Sequence, residues 1–220
     1  MSAPTTSSVA QRDRIVLNNV DWSEYTRLLR HFADRPRYRL TYDCGVLEIM
    51  SPSFEHDSDT ELLGRFVVVL TEEMDLPLHA GGSTTLRRRR KQKGIEPDRC
   101  WWIANEPRVR GKRTLDLRRD PPPDLAVETD VTNSSLDRLI IYLQLRIPEV
   151  WRLEGQTLTF HVLSPDSKRY VEANQSRSFP CVTPADLLRF LALAAARDDN
   201  AIVREFRAWV RQQIASPPTP

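Results

Sequence analysis

The sequence predicts an α/β protein organised as a single domain. Segments whose apolar residues recur at helical spacing alternate along the chain with short segments typical of strands. Glycine and proline separate many of these segments, as expected at turns. A chain of 220 residues can bury one sizeable core, and neither an internal repeat nor a linker-like stretch divides it.

Five helices follow from the apolar spacing and from residues that favour the first position before a helix. Asp21 or Ser23 can cap the first helix, Asn133 or Ser134 the third, and Thr183 the fourth. The expected helices cover residues 21–33, 55–74, 135–145, 184–195 and 198–213.

Strands are expected where polar and apolar residues alternate, or where a short apolar run ends at turn residues. Cys44-Gly45 should join the first two strands into a hairpin, and Gly81-Gly82 should join the next two. The expected strands cover residues 38–43, 46–50, 78–80, 83–87, 98–104, 124–129, 149–153, 157–163 and 170–172.

The two ends of the chain differ in character from its middle. Residues 1–14 are rich in Ser and Thr and lack periodicity, so we expect a disordered tail there. Residues 215–220 are rich in proline and should be frayed. One domain therefore covers residues 15–214.

Composition excludes several classes of protein. No apolar run approaches the roughly 18 residues of a membrane-spanning helix, and the first residues lack the basic start and apolar block of a secretory signal. Cys44, Cys100 and Cys181 are too few and too widely spaced for a disulfide framework or a zinc site. We expect a cytoplasmic protein with reduced thiols.

Two acidic residues stand where apolar strands are expected. Asp98 begins the run that continues through Cys100 and the two tryptophans, and Glu128 ends the run Leu125-Ala126-Val127. A buried carboxylate without a partner costs several kcal/mol, so such groups are usually paired, protonated or bound to a metal. Hard divalent cations take carboxylate oxygens, and the two acids could therefore form one such site. Alternatively, Asp98 is an exposed turn residue and Glu128 an edge-strand residue paired with an arginine.

A dense group of cations precedes the two acids. The net charge is only +2, but the cluster suggests a polyanionic partner. It consists of Arg87, Arg88, Arg89, Arg90 and Lys91. These side chains could follow a phosphate backbone without reading its sequence, because no aromatic residues are interspersed. The alternative is a solvated rim of a hairpin.

The two acids and their surroundings resemble a known group of enzymes. Pro97-Asp98 followed by Glu128-Thr129-Asp130 resembles the PD-(D/E)xK nuclease superfamily. The segment Ile147-Pro148-Glu149-Val150-Trp151, the hairpin around Gly45 and the turn Met50-Ser51-Pro52 are similar to its Uma-two family of restriction-type endonucleases. This resemblance covers roughly residues 37–190.

The resemblance implies a restriction-endonuclease-like fold, with a central mixed sheet flanked by helices, an N-terminal hairpin and C-terminal helices. It also implies hydrolysis of DNA phosphodiester bonds with Mg²⁺ or Mn²⁺. Asp98 and Glu128 match the metal ligands, and the Thr129 carbonyl is a third candidate. Glu61 matches the superfamily's helix glutamate, with Glu55 as its competitor. A homodimer is expected by resemblance only.

The chain departs from the superfamily at its lysine. Asp130 occupies the usual lysine position, and Arg138 stands where related proteins supply the lysine from the following helix. Arginine cannot act as a base, although it can stabilise phosphate charge. The base role would pass to water held by the metal, with His56 and Glu61 assisting. Alternatively, Arg138 only pairs with Asp130 or Asp137, and the chain is a weak or inactive nuclease that binds DNA or protein.

Overall fold

The computed structural model describes residues 14–35, 38–51, 54–129 and 136–215, without the side chains of residues 54–56. Six α-helices lie in these ranges: α1 Trp22–Phe32, α2 Phe54–Glu73, α3 Glu106–Val109, α4 Arg138–Leu145, α5 Pro184–Leu191 and α6 Asp199–Ala215. Eleven strands accompany them: β1 Arg14–Leu17, β2 Arg39–Asp43, β3 Val46–Met50, β4 His79–Ala80, β5 Leu86–Arg88, β6 Lys93–Ile95, β7 Arg99–Trp102, β8 Leu125–Thr129, β9 Glu149–Glu154, β10 Thr157–Leu163 and β11 Tyr170–Ala173. None of the helices in these ranges has the length and apolar character needed to cross a membrane.

A six-stranded mixed sheet forms the centre of the fold. Its strand order is β11-β10-β9-β8-β7-β4. β8 and β9 run parallel because helix α4 returns the chain between them, whereas the other neighbours in this sheet are antiparallel. The predicted mixed sheet flanked by helices is therefore confirmed.

The N-terminal hairpin belongs to a second sheet. Five antiparallel strands follow one another in the order β1-β3-β2-β6-β5. Cys44 and Gly45 turn the chain between β2 and β3, with φ values of 45° and 97°. Strand β1 was not expected from the sequence; residues 1–13 of the predicted tail lie outside the described ranges.

Opposite faces of the central sheet bury separate clusters of side chains. Trp101 and Val127 face the cluster formed with α2, α5 and α6. Trp102 and Ala126 face the cluster formed with α4. Successive residues of a strand point to opposite faces, so both β7 and β8 are buried on two sides. Asp98 and Glu128 lie at the ends of these buried strands.

Side-chain caps fix where several helices begin. Asp21 caps α1 in a capping box with Glu24, and Thr183 caps α5. Helix α4 begins three residues later than predicted, because Asp137 accepts a hydrogen bond from the Ile140 N–H and acts as its cap. The predicted caps Asn133 and Ser134 lie outside the described residues.

The predicted hairpin across Gly81-Gly82 is wrong. β4 pairs with β7 in the central sheet, whereas β5 pairs with β6 in the second sheet. Gly81 is needed for close approach, since a Cβ there would lie 2.7 Å from Sγ of Cys100. The glycines carry the chain from one sheet to the other instead of folding it back on itself.

Glu149 is a buried structural carboxylate at the start of β9. Its side chain is fully buried and accepts hydrogen bonds from Nε1 of Trp151 at 2.9 Å and from the N–H of Arg177 at 3.0 Å. The N–H and hydroxyl of Ser178 donate to its other oxygen at 2.8 and 2.7 Å. One side chain thus anchors the loop that precedes α5.

We predict that Gly94→Ala destabilises the fold by about 1–3 kcal/mol or more, as overpacking does. A Cβ on Gly94 would lie 2.6 Å from Cζ of Tyr25, a fully buried ring. The matched control is Gly64→Ala in α2, whose Cβ would lie at an ordinary 3.6 Å from the Trp101 ring. That control should gain about 0.5–1 kcal/mol from helix propensity. Urea unfolding measures both, and equal effects would contradict the packing described here.

We predict that Glu149→Gln lowers the free energy of unfolding by about 1–3 kcal/mol, because an amide NH₂ would face backbone donors. Glu154→Gln is the control, since its carboxylate is partly exposed and pairs with Arg152. Thermal unfolding followed by circular dichroism compares the two. A loss no larger in Glu149→Gln than in the control would refute the anchoring role.

Candidate active site

Asp98 and Glu128 face each other at the ends of neighbouring strands. β7 and β8 pair in antiparallel register with Arg99 opposite Val127, so the next pair is Asp98 and Glu128. Each residue is only 3% exposed. Asp98 is therefore no exposed turn residue. β8 lies in the interior of the sheet, so Glu128 is no edge residue either.

Thr129 holds the Asp98 carboxylate in place. Its Oδ2 accepts a hydrogen bond from the Thr129 N–H at 2.9 Å and from the Thr129 hydroxyl at 3.1 Å. The Thr129 hydroxyl also lies 2.5 Å from that of Thr60 on α2. Helix α2, β8 and the start of β7 are thus joined through side-chain oxygens. The proposed role of the Thr129 carbonyl as a metal ligand stays a prediction.

Arg138 forms a buried ion pair with Glu128. Its Nη2 donates to Glu128 Oε1 at 2.8 Å and to the Glu96 carbonyl at 3.3 Å. Its Nη1 donates to the Thr41 hydroxyl at 2.7 Å. Tyr142, one turn further along α4, donates its hydroxyl to the same Glu128 oxygen. Because Thr41 lies on β2 and Glu128 on β8, Arg138 connects the two sheets.

Burial and charge act against each other in this network. Burial raises the pKa of the Glu128 carboxyl, Arg138 opposes that shift, and the nearby Asp98 adds to it. Burial alone would lower the pKa of Arg138, but Glu128, Tyr142 and Asp98 together raise that pKa above its usual value. Burial and then Glu128 raise the pKa of Tyr142 well above its usual value, so it remains a neutral donor. The arginine stays charged and needs the carboxylate beside it.

An open cleft of about 460 Å³ gives access to Asp98. Its wall includes Thr60, Glu61 and Arg99, whereas Glu128 lies behind it and does not line it. Glu61 is more than half exposed and forms an ion pair with Arg99 across the cleft. The structure thus brings Glu61 to the same cleft as Asp98, with its carboxylate already held by an arginine.

For several other predicted site residues, the structure describes no side-chain position. His56 and Glu55 lie in the first turn of α2, but their side chains are not among those that the structure describes. Asp130 also lies outside the described residues. Within the ranges that are described, no three His, Cys, Asp or Glu side chains are arranged to hold a metal ion.

The basic segment forms the connection between β5 and β6. Arg89–Lys91 makes a turn of 3-10 helix there, and most of the segment is exposed. None of its five residues lines the cleft of Asp98. The geometry matches the rim of a hairpin, and a role in binding nucleic acid stays a prediction.

Sequence reasoning missed several residues of the site. Thr41, Thr60 and Arg99 carry no motif of their own, although Thr60 and Arg99 are each adjacent to a residue that was singled out. The spacing of four residues places Tyr142 on the same helix face as Arg138, but it does not show that Glu128 is its partner. Its hydrogen bond to Glu128 depends on the crossover between β8 and β9.

Comparison with known proteins shows which family the chain matches and gives a solved structure that it resembles. The sequence profile of the Uma2 family, described as "Putative restriction endonuclease", matches residues 22–196. A crystal structure from Anabaena variabilis ATCC 29413, described as "a putative nuclease belonging to DUF820", is 16% identical and aligns with a TM-score of 0.47. The alignment covers 74% of this chain and 98% of the other. A search of curated proteins gave no match.

We predict that Glu128→Ala destabilises the fold by about 3–5 kcal/mol, because it leaves the Arg138 charge buried without its partner. Arg138→Met in the same chain should restore much of that loss, since the uncompensated charge is removed as well. A double-mutant cycle in urea, with EDTA present, measures the coupling. Additive effects would show that the pair is not coupled.

We predict that Glu96 makes stability depend on pH. Burial raises the pKa of its carboxyl, although the Thr85 hydroxyl and the Leu40 N–H donate to it at 2.6 and 2.8 Å. A carboxyl with a raised native pKa contributes stability that is complete below its unfolded pKa and is lost as pH rises through the native value.

Glu96→Gln is the test, because an amide can accept from Leu40 and donate to Thr85. The variant should therefore lose less stability than the wild type between about pH 4 and pH 8. Unfolding in urea at both pH values measures the difference. If the free energy of unfolding changes by the same amount in the wild type and in the variant over this interval, the assignment is contradicted.

Proposed function

The chain belongs to the Uma2 family, and we propose that it is an endonuclease that hydrolyses DNA phosphodiester bonds with a divalent metal ion. Asp98 and Glu128 would hold the ion, which we take to be Mg²⁺ or Mn²⁺. The observation that carries this proposal is the pair of buried carboxylates opposite each other on β7 and β8. Such a pair gains from a cation, because each charge disfavours ionisation of the other.

The donor set fits a hard cation. Mg²⁺ is usually bound by one or two carboxylates together with water and substrate phosphates, and it does not need an all-protein cage. Both hydrogen bonds that Glu128 accepts from described residues reach Oε1, which leaves Oε2 available as a ligand. Asp98 opens to a cleft of about 460 Å³, where a phosphate can enter.

Arginines of the site can supply fixed positive charge to a phosphodiester. When bound, the ion would polarise a phosphoryl oxygen and lower the pKa of a water molecule. Arg138 favours the ionised form of Glu128 and orients its carboxylate. Arg39 and Arg99 line the cleft and can bind phosphate oxygens through their planar guanidinium groups. Glu61 would be released from Arg99 by the substrate and could then orient the water.

Two further elements of the proposal follow from the sequence. The exposed basic segment Arg87–Lys91 would add contacts to the phosphate backbone, and His56 would assist near the metal. A homodimer would allow both strands of a duplex to be cut, since each chain supplies one site.

A second candidate function is a DNA-binding or protein-binding module without catalytic activity. Arg138 favours it, because its two terminal nitrogens are bound by Thr41, Glu96 and Glu128 and hold the sheets together. Arginine cannot be deprotonated in a protein, so Arg138 cannot act as a base. Among the described residues, no lysine lies beside Glu128 to take that role. Such a protein would have the same fold but would not hydrolyse DNA.

We predict cleavage of plasmid DNA with Mg²⁺ or Mn²⁺ and none with EDTA. Asp98→Asn and Glu128→Gln should each reduce the rate at least a hundredfold; they are preferred to alanine because they preserve volume. Arg138→Lys should lower the rate, because one ammonium group cannot reproduce the guanidinium contacts to Thr41, Glu96 and Glu128. Glu154→Gln, outside the cleft, is the matched control.

Circular dichroism of each variant establishes that it is folded. Cleavage that survives EDTA, or that Asp98→Asn leaves undiminished, would refute the metal site. A folded wild type that never cuts but still binds DNA would favour the binding module.

A further inference from the structure

A larger cleft of about 840 Å³ adjoins the cleft of Asp98. Arg39 lines both of them. Thr85 and Leu115 line this larger cleft together with a third one of about 330 Å³, whose wall includes Arg87 and Arg89. Neighbouring cavities in this series thus share wall residues, and we call the series, from Asp98 to the basic segment between β5 and β6, the track.

The end of the track at Asp98 differs in charge from its middle. Around Asp98 the lining includes Asp57, Glu61 and Asp199, which suits a cation. The middle of the track is lined by Arg35, Arg39, Lys112 and Arg113, with Glu96 as an acidic member. Cations thus dominate the larger cleft.

Some of these cations are engaged and others are available. Lys112 pairs with Asp120. Within the described part of the chain, neither Arg35 nor Arg113 forms an ion pair with an acidic side chain, and both are exposed. The Glu96 carboxylate is occupied by Thr85 and Leu40. The larger cleft therefore presents unneutralised positive charge to a ligand.

Aromatic rings stand beside these cations. Tyr38 is 37% exposed and packs edge-on against Phe32 with 5.2 Å between ring centroids. The Arg35 guanidinium lies over the Phe32 ring at 5.8 Å from its centroid. All three residues line the larger cleft. A partly exposed aromatic ring next to the exposed Arg35 guanidinium offers a stacking surface together with charge for a phosphate.

We propose that this track binds an unpaired strand of nucleic acid and leads its backbone to Asp98. The inference rests on the proposed nuclease function and concerns how its substrate enters, as a single strand or as a locally unpaired segment of a duplex. Bases would stack on Tyr38 and Phe32, while Arg35, Arg39 and Arg113 would contact phosphates. The basic segment at Arg87 and Arg89 would continue those contacts.

The shape of the track favours a single strand over a duplex. Direct recognition of the bases of a duplex uses a protein element that enters a groove of the DNA, whereas this surface is concave. Its cavities have the volumes of sites that enclose small ligands, so they can take up individual nucleotides. A positively charged groove lined with aromatic rings is the arrangement that binds single strands without sequence preference.

The test is equilibrium binding of a fluorescein-labelled thymidine 20-mer, measured by anisotropy in EDTA at several salt concentrations. Tyr38→Ala should weaken binding roughly tenfold through loss of stacking. Arg113→Gln should weaken binding and reduce the slope of log affinity against log salt by about 0.7, as for one lost phosphate contact. Arg204→Gln, an exposed residue of α6 outside the track, should change neither. A uridine 20-mer distinguishes DNA from RNA as the bound strand.

Binding in EDTA separates this inference from the proposed catalysis. Loss of binding in Tyr38→Ala and Arg113→Gln supports the track even if no variant cuts DNA. The inference is overturned if the wild type binds a duplex of equal length as tightly as the single strand. It is equally overturned if the wild type binds no strand, or if both track variants bind the single strand like Arg204→Gln.

Discussion

The structure depends on how one buried guanidinium is satisfied. Arg138 reaches Thr41 in the five-stranded sheet and Glu128 in the six-stranded sheet, and it also binds the carbonyl of Glu96. Because arginine stays charged even when it is buried, each of these acceptors must be held in place around it. The relative position of the two sheets is therefore linked to the ionised state of Glu128, and a structural constraint coincides with the candidate metal site.

The same arrangement sets what the site can do. A lysine at position 138 could exchange a proton, whereas the arginine supplies constant charge and bidentate geometry. Catalysis by this chain would then rest on electrostatic stabilisation and on positioning within the cleft. The division of the surface into an acidic end near Asp98 and a cationic, aromatic middle is consistent with a substrate whose backbone is bound at a distance from the reacting phosphate.

Local patterns predicted the regular elements well, because caps and periodicity are encoded within a few residues. Asp21 and Thr183 mark helix starts that the structure contains. The two acids were predicted on two strands, although an exposed turn for Asp98 and an edge strand for Glu128 remained alternatives. The sequence did not predict contacts between residues that lie far apart along the chain. Gly81 looked like a turn residue, yet it serves the close approach of Trp102 and Cys100. The pairing of Arg138 with Thr41 spans 97 residues of sequence and needs both sheets to be assembled.

The most direct test of the metal site is crystallography with Mn²⁺, whose anomalous scattering locates the ion without reference to activity. The account predicts one anomalous peak between Asp98 and Glu128, within about 2.0–2.2 Å of a carboxylate oxygen from each, as expected for hard-cation ligands. The peak should vanish in crystals of Asp98→Asn. A peak coordinated only by Asp57, Glu61 or Asp199 in the open cleft, or no peak in crystals at saturating Mn²⁺, would contradict the assignment of this pair as the metal ligands.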